Sequence, residues 1–329
     1  MSANSLSQFA WWKTYFTPNG YSYDKIPDLT GKIAIVTGAN SGLGYATTVA
    51  LAGHGARVFL ACRSKERAQE AIENANAEIK AKYLNAPTPQ LEFLELDLND
   101  MTKSHRAAQE FLKKGLPLHI LVNNSGILVS PIALSADGIE TLFAVNHMGH
   151  FVFTMGLLDK IKESQPSRII ILSSIAHEVI PKNMNGIDFD TLNDEGDYSL
   201  NRYSRSKLAN VLFANALARR LANERVYVNT AHPGHVDTKL NRSVKGILGE
   251  TWSKLAQFVA SAAVMTPEVG ALTQLYLATS PEVESKDIRG RYFVPIANEI
   301  QPSTWARDEE LQEKLWTFSE NLVRQIVKA

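Results

Sequence analysis

Short unbroken apolar runs alternate along this chain with longer stretches in which apolar residues recur every three or four positions. The runs predict strands over 33–36, 57–61, 91–96, 118–122, 168–172 and 226–231, with a short last strand over 291–294. Between them the helical period predicts helices from Gly42 to about His54, from Ser64 to about Lys82, and over 100–114, 138–162, 203–222 and 268–278, with an amphipathic helix over 308–327 closing the chain. Ser64 is placed to cap its helix, and Gly55 and Gly115 to end theirs. Strands that are apolar throughout, each followed by a helix, belong in a parallel sheet covered on both faces. The expected fold is therefore a doubly wound α/β parallel sheet in a single domain over 31–329, preceded by an arm over 1–30. A loop rich in Asn, Asp and Gly over 181–202 and an irregular lid over 235–266 interrupt the alternation. No composition shift, repeat or low-complexity segment divides the chain.

In such sheets ligands bind beyond the carboxyl ends of the strands. Gly38, Arg63, Asp97, Asn123, Ser174 and Pro233 all lie just after predicted strands. The first of these turns carries the clearest pattern. Gly38, Gly42 and Gly44 give GxxxGxG between the first strand and the first helix. Glycine permits the tight turn and the close approach of a pyrophosphate, and the helix N-terminus offers free N–H groups to its charge. The spacing is neither GxGxxG nor GxxxxGK[ST], so the turn alone leaves a ligand-free connection open.

Tyr203 and Lys207 stand four apart on a predicted helix and share a face. A neighbouring ammonium favours the phenolate, so the expectation is a Tyr203 pKa lowered toward an acid–base role near neutrality. A surface Tyr/Lys pair is the alternative.

Taken in order, Thr37-Gly38, Asn123-Asn124-Ser125-Gly126, Ser174 and Tyr203-Ser204-Arg205-Ser206-Lys207 resemble the motifs of the short-chain dehydrogenase/reductase family, with NNSG where that family has NNAG. The stretches 206–210, 145–151 and His232-Pro233-Gly234 resemble the subgroup of retinol dehydrogenases and WW-domain oxidoreductases. The resemblance covers about 31–278 and implies a Rossmann fold. It implies a catalytic tetrad: Tyr203 as proton donor or acceptor, Ser174 rather than Ser173 bonded to the substrate oxygen, Lys207 beside the tyrosine and the nicotinamide ribose, and Asn146 holding a relay water. It also implies coenzyme contacts from Gly38, Asn40, Ser41, Gly42, Leu43, Gly44, Asp97, Leu98, Asn124, Ser125, Gly126, Tyr203, Lys207, Pro233, Gly234, Val236 and Thr238, and hydride transfer without metal.

The second strand refines the coenzyme. NAD-preferring proteins place an acid at its end to hold the ribose hydroxyls. Here Cys62 stands there, followed by Arg63, whose fork can pair with a 2′-phosphate, so NADP(H) is expected. The long 181–202 loop, together with Val236, Leu240, Ile247, Leu248, Trp252, Leu255 and Phe258, points to a lipophilic or bulky carbonyl or alcohol substrate, with subunit packing as the alternative. A catalytically silent NADP(H)-binding scaffold is the rival from another class.

Composition removes other classes. Formal net charge is zero, which does not favour nucleic acid. The single cysteine, Cys62, excludes an internal disulfide and a cysteine-rich zinc site, and fits a reducing, cytoplasmic setting. The eight histidines show no zinc spacing. No secretory signal and no run long enough to cross a bilayer is expected. Phe9, Trp11, Trp12, Tyr15 and Phe16 make the N-terminal arm aromatic, suited to packing on the domain or on a second copy in a homo-oligomer, or to a weak peripheral membrane contact.

Overall fold

β-branched and other apolar residues without a break make the central strands, buried on both faces by helices. The computed structural model describes residues 19–84, 87–128, 133–180, 186–194, 199–236 and 264–327. The strands are β1 (Ile33–Thr37), β2 (Arg57–Cys62), β3 (Gln90–Glu95), β4 (Ile120–Asn123), β5 (Ser167–Leu172), β6 (Val226–Ala231), β7 (Tyr292–Val294) and β8 (Asn298–Ile300). Their order in the sheet is β3-β2-β1-β4-β5-β6-β7-β8, parallel except for β8, which runs antiparallel to β7. The order reverses between β1 and β4, which opens a crevice at their carboxyl ends. This is the doubly wound α/β fold expected. β8 is the addition: Asn298 and Glu299 carry no apolar run, and its three residues form an edge.

The longer helices among the described residues are α1 (Gly42–Gly53), α2 (Lys65–Lys82), α3 (Met101–Leu112), α4 (Thr141–Glu163), α5 (Ser199–Arg220), α6 (Pro267–Thr279) and α7 (Glu309–Ile326). Ser64 Oγ accepts the Arg67 N–H and Asp100 Oδ1 the Lys103 N–H, so both helices start where a side chain replaces a missing backbone partner. Two differences bear on the site. α5 begins at Ser199, so the last four residues of the expected 181–202 loop are its first turn. α4 widens into a π turn over Ala144–Met148, a break in the ladder that apolar periodicity does not reveal. Among the described residues α4, with 23 residues, is long and apolar enough to cross a bilayer by length and composition, its most apolar 18 residues having a mean hydropathy of 1.2, but 72% of that window is buried inside the fold, as in a core helix. One core layer joins α3, α4, α5 and α7 to the sheet, and the other joins α1, α2 and α6. The aromatic residues 9–16 and most of the 235–266 lid, including Thr238, lie outside the described residues.

Candidate active site

The glycine turn leaves β1 and enters α1 with Gly38 at φ 64° and Gly42 at φ 55°, conformations that cost a side chain dearly. Gly44 is required for another reason. A Cβ there would stand 2.5 Å from the Gly38 carbonyl oxygen and 2.6 Å from Asn124 Nδ2. The turn is thus folded tightly onto the first helical turn, whose N-cap Ser41 makes no side-chain cap and leaves the N–H groups open. Asn124 braces the turn by donating from Nδ2 to the Thr37 carbonyl at 2.8 Å. Asn123 turns the other way and donates to Thr154 Oγ1.

Two cavities meet at this turn and share Gly38, Asn40 and Ser125. One, of 430 Å³, is lined by Cys62, Arg63, Arg67, Asp97, Leu98 and Val145 among others. The second, of 240 Å³, is lined by Ser41, Gly42, Leu43, Asn124, Gly126, Ser173, Tyr203, Lys207 and Pro233. An elongated ligand with a charged middle fits this arrangement: one half beside two exposed guanidinium groups, the middle on open N–H groups, the other half against Tyr203 and Lys207. Asp97 accepts the Asn99 N–H, while Asp100 is the cap of α3. Gly234 (φ 87°) and buried Val236 pack behind Pro233, toward Met265 and Gly270, and do not line either cavity. A larger cavity of 520 Å³ lies at the opposite ends of the strands, where Arg168 pairs with Glu284, away from all these residues.

The four tetrad candidates converge. The Ser174 side chain lies beside the Tyr203 phenol, close enough to pull its pKa down. Ser174 Oγ also accepts the Ala176 N–H, so its proton remains to be given. Ser173 points elsewhere and donates to the Lys207 carbonyl at 2.7 Å, which separates two serines that the sequence leaves equivalent. Lys207 Nζ lies 5.6 Å from the centre of the Tyr203 ring and donates to the Leu172 carbonyl at 3.4 Å. Asn146 sits in the π turn with both amide hydrogens engaged, toward the Ile127 carbonyl and Ser206 Oγ, while its Oδ1 accepts the Ile127 N–H. The amide therefore clamps the β4 exit to α5 rather than offering N–H groups to a water. A Cβ on Gly126 would stand 3.2 Å from both Asn146 Oδ1 and Lys207 Nζ, so only glycine leaves these two the room they have.

The electrostatics differ from the sequence expectation. Burial pushes the Tyr203 phenol up to about 12, with the neighbouring Ser174 side chain pulling against it, and burial brings the Lys207 ammonium down to about 8. Desolvation favours the neutral form of each group and is the largest cause of both shifts. A neutral phenol is the form that can give a proton. Burial likewise holds His147 and His232 down to about 3, and His150 and His177 down to about 4. Each lies below the unfolded value of about 6.5, so below that pH the unfolded chain binds more protons and stability falls as pH drops toward 4. By pH 5.5 the loss should be roughly 1 kcal/mol for each ring. Urea midpoints should therefore fall clearly between pH 7.5 and 5.5, whereas a constant midpoint would contradict this burial.

Two residues of the site escape sequence reasoning. Arg67, in the first turn of α2, joins Arg63, which precedes the Ser64 cap, at the first cavity. His177 donates from Nδ1 to the Ser174 carbonyl at 2.8 Å and accepts the Ser303 N–H on Nε2 at 3.1 Å. No local pattern announces a contact across so many residues.

A family model described as short chain dehydrogenase matches residues 32–185. The chain is 42% identical over 301 residues to "Retinol dehydrogenase 14" of Homo sapiens, covering 89% of this chain and 86% of that protein. It is 38% identical over 304 residues to "WW domain-containing oxidoreductase" of Homo sapiens, covering 91% and 69%. A crystal structure of an uncharacterized protein from Mycobacterium Paratuberculosis superposes with a TM-score of 0.71 at 29% identity, covering 93% of this chain and 98% of that one.

Proposed function

The chain belongs to the short-chain dehydrogenase family, and from that premise we propose that it is an NADP(H)-dependent oxidoreductase acting on a carbonyl/alcohol pair of a lipophilic substrate. The observation that carries the reading is that Tyr203 and Lys207 line the inner end of the glycine-turn cavity, with Lys207 Nζ 5.6 Å from the centre of the Tyr203 ring and the Ser174 side chain beside the phenol. Proteins of this family use nicotinamide coenzymes. Bound there, a nicotinamide ring supplies the hydride that a carbonyl carbon accepts. Ser174 donates to the substrate oxygen and fixes its position, and neutral Tyr203 delivers the proton to that oxygen. Lys207 holds positive charge beside Tyr203 and favours the phenolate left behind. Asn146 keeps the loop after β4 and the helix of Tyr203 in register through its amide. Tyr203 packs with Leu142, Ala176, Ile127 and Leu128, an apolar surround that supports a lipophilic substrate. Exposed Val179 and Leu200, on the elements that carry Ser174 and Tyr203, support it further. The relatives named for retinol make all-trans-retinal a reasonable first probe. Oxidation of NADPH with hydrophobic aldehydes and ketones tests the reading, and binding of NADPH with no turnover across such a panel would overturn it.

Coenzyme preference follows from Cys62 and Arg63. Cys62 is buried at the end of β2, and burial pushes its thiol up to about 11, so it offers no charge to ribose hydroxyls. Arg63 and Arg67 are exposed at the same cavity and can pair with a 2′-phosphate. Arg63→Ala should weaken NADPH by roughly ten- to a hundredfold and leave NADH nearly unchanged. Adding Cys62→Asp should turn preference toward NADH. Equal weakening of both coenzymes by Arg63→Ala would refute the phosphate clamp.

A further inference from the structure

Thr37 ends β1 fully buried, and its hydroxyl oxygen accepts the backbone N–H groups of Asn124 and Ser125, each at 2.9 Å. The same oxygen lies 2.9 Å from His150 Nε2. On the other side of the ring, His150 Nδ1 lies 3.1 Å from the Asn146 carbonyl oxygen. These contacts determine where the protons are. A carbonyl can only accept, so Nδ1 carries hydrogen. The ring is buried and its pKa is held down to about 4, first by burial and then by the Lys207 ammonium, so it is neutral at pH 7. Nε2 then presents a lone pair, and the Thr37 O–H donates to it. The chain continues from Asn146 Nδ2 to Ser206 Oγ, and from Ser206 Oγ to the Tyr203 carbonyl at 2.7 Å. A directed path of hydrogen bonds thus runs from the glycine-turn strand to the backbone of Tyr203.

We propose that His150 is a positioning residue that ties the strand of the glycine turn to the Asn146 carbonyl, and so holds Asn146, Ser206 and Tyr203 in register with bound coenzyme. The assignment rests on the reductase reading of the site. The link anchors the π turn that carries Asn146, a kind of turn that recurs at functional sites. A small displacement of a catalytic group is costly to rate.

Two measurements on the full chain test it. In protein carrying ¹⁵N-histidine, long-range ¹⁵N–¹H spectra between pH 6 and 8 should assign the ring whose signals vanish in His150→Asn to the neutral Nδ1–H form. An Nε2–H form or an imidazolium would overturn the link whether or not the protein turns over a given ketone. The second measurement compares His150→Asn, which keeps a donor near Nδ1, with His150→Gln and His150→Leu, which do not. His150→Asn should keep kcat within about threefold, and the other two should lose about tenfold or more, with the NADPH Kd of all three within about threefold of wild type. Equal loss in all three would mean packing alone, and an unchanged kcat in His150→Leu would also overturn the proposal. Wild type without turnover would sink the reductase reading, while the spectra would still decide the link.

Discussion

Tyr203→Phe should lower turnover by about a hundredfold or more while NADPH binds within about threefold of wild type. The substitution removes one oxygen and keeps the ring among Leu142, Ala176, Ile127 and Leu128. What is lost is the hydroxyl beside Ser174 and the proton it carries. Because burial keeps the phenol neutral, no other form of this side chain substitutes for the donor at pH 7. Coenzyme contacts through the glycine turn lie elsewhere and should survive. Parallel kinetics and fluorescence titration of NADPH separate the two effects, and near-normal turnover in the folded variant would remove Tyr203 from the mechanism.

Gly44→Ala should produce the second large effect, on coenzyme affinity and stability together. The added methyl would meet the Gly38 carbonyl at 2.5 Å and Asn124 Nδ2 at 2.6 Å. The first is backbone, and the second is held by its bond to the Thr37 carbonyl, so neither can yield cheaply. Overpacking of this kind costs about 1–3 kcal/mol, and here relief must come from opening the turn that would carry the pyrophosphate. NADPH affinity should fall by more than about tenfold, with a lower urea midpoint. Wild-type values for both in Gly44→Ala would mean that the turn is looser than its geometry requires. Gly115, whose Cβ would meet nothing within 4 Å, is no control for this effect, because its φ of 65° strains any other residue.

Much of the fold was legible because the central strands are apolar on both faces, and continuous runs such as Ile33–Val36 have few other uses. The glycine turn, the NNSG turn and the Tyr203/Lys207 pair were legible because each places its residues within a few positions. β8 was not, since three polar-flanked residues pair only because β7 offers an edge. The choice between Ser173 and Ser174 came from the resemblance alone, and the Ser173 bond to the Lys207 carbonyl now gives it a physical basis. The direction of the Tyr203 shift was misjudged because helical spacing reveals the neighbouring cation but not the burial, and burial is the larger effect. His150 and His177 act through backbone carbonyls and distant partners, which no periodicity encodes.

The central claim is that this site moves a hydride between a nicotinamide coenzyme and a carbonyl carbon. The most direct test incubates the full chain with NADPH deuterated at C4, on either face, and a set of hydrophobic aldehydes and ketones that includes all-trans-retinal, and then weighs the products by mass spectrometry. The account predicts an alcohol heavier by one mass unit from one of the two labelled coenzymes, and no such product from Tyr203→Phe. Bound NADPH with no label in any product would contradict it and would leave the fold as a coenzyme-binding scaffold.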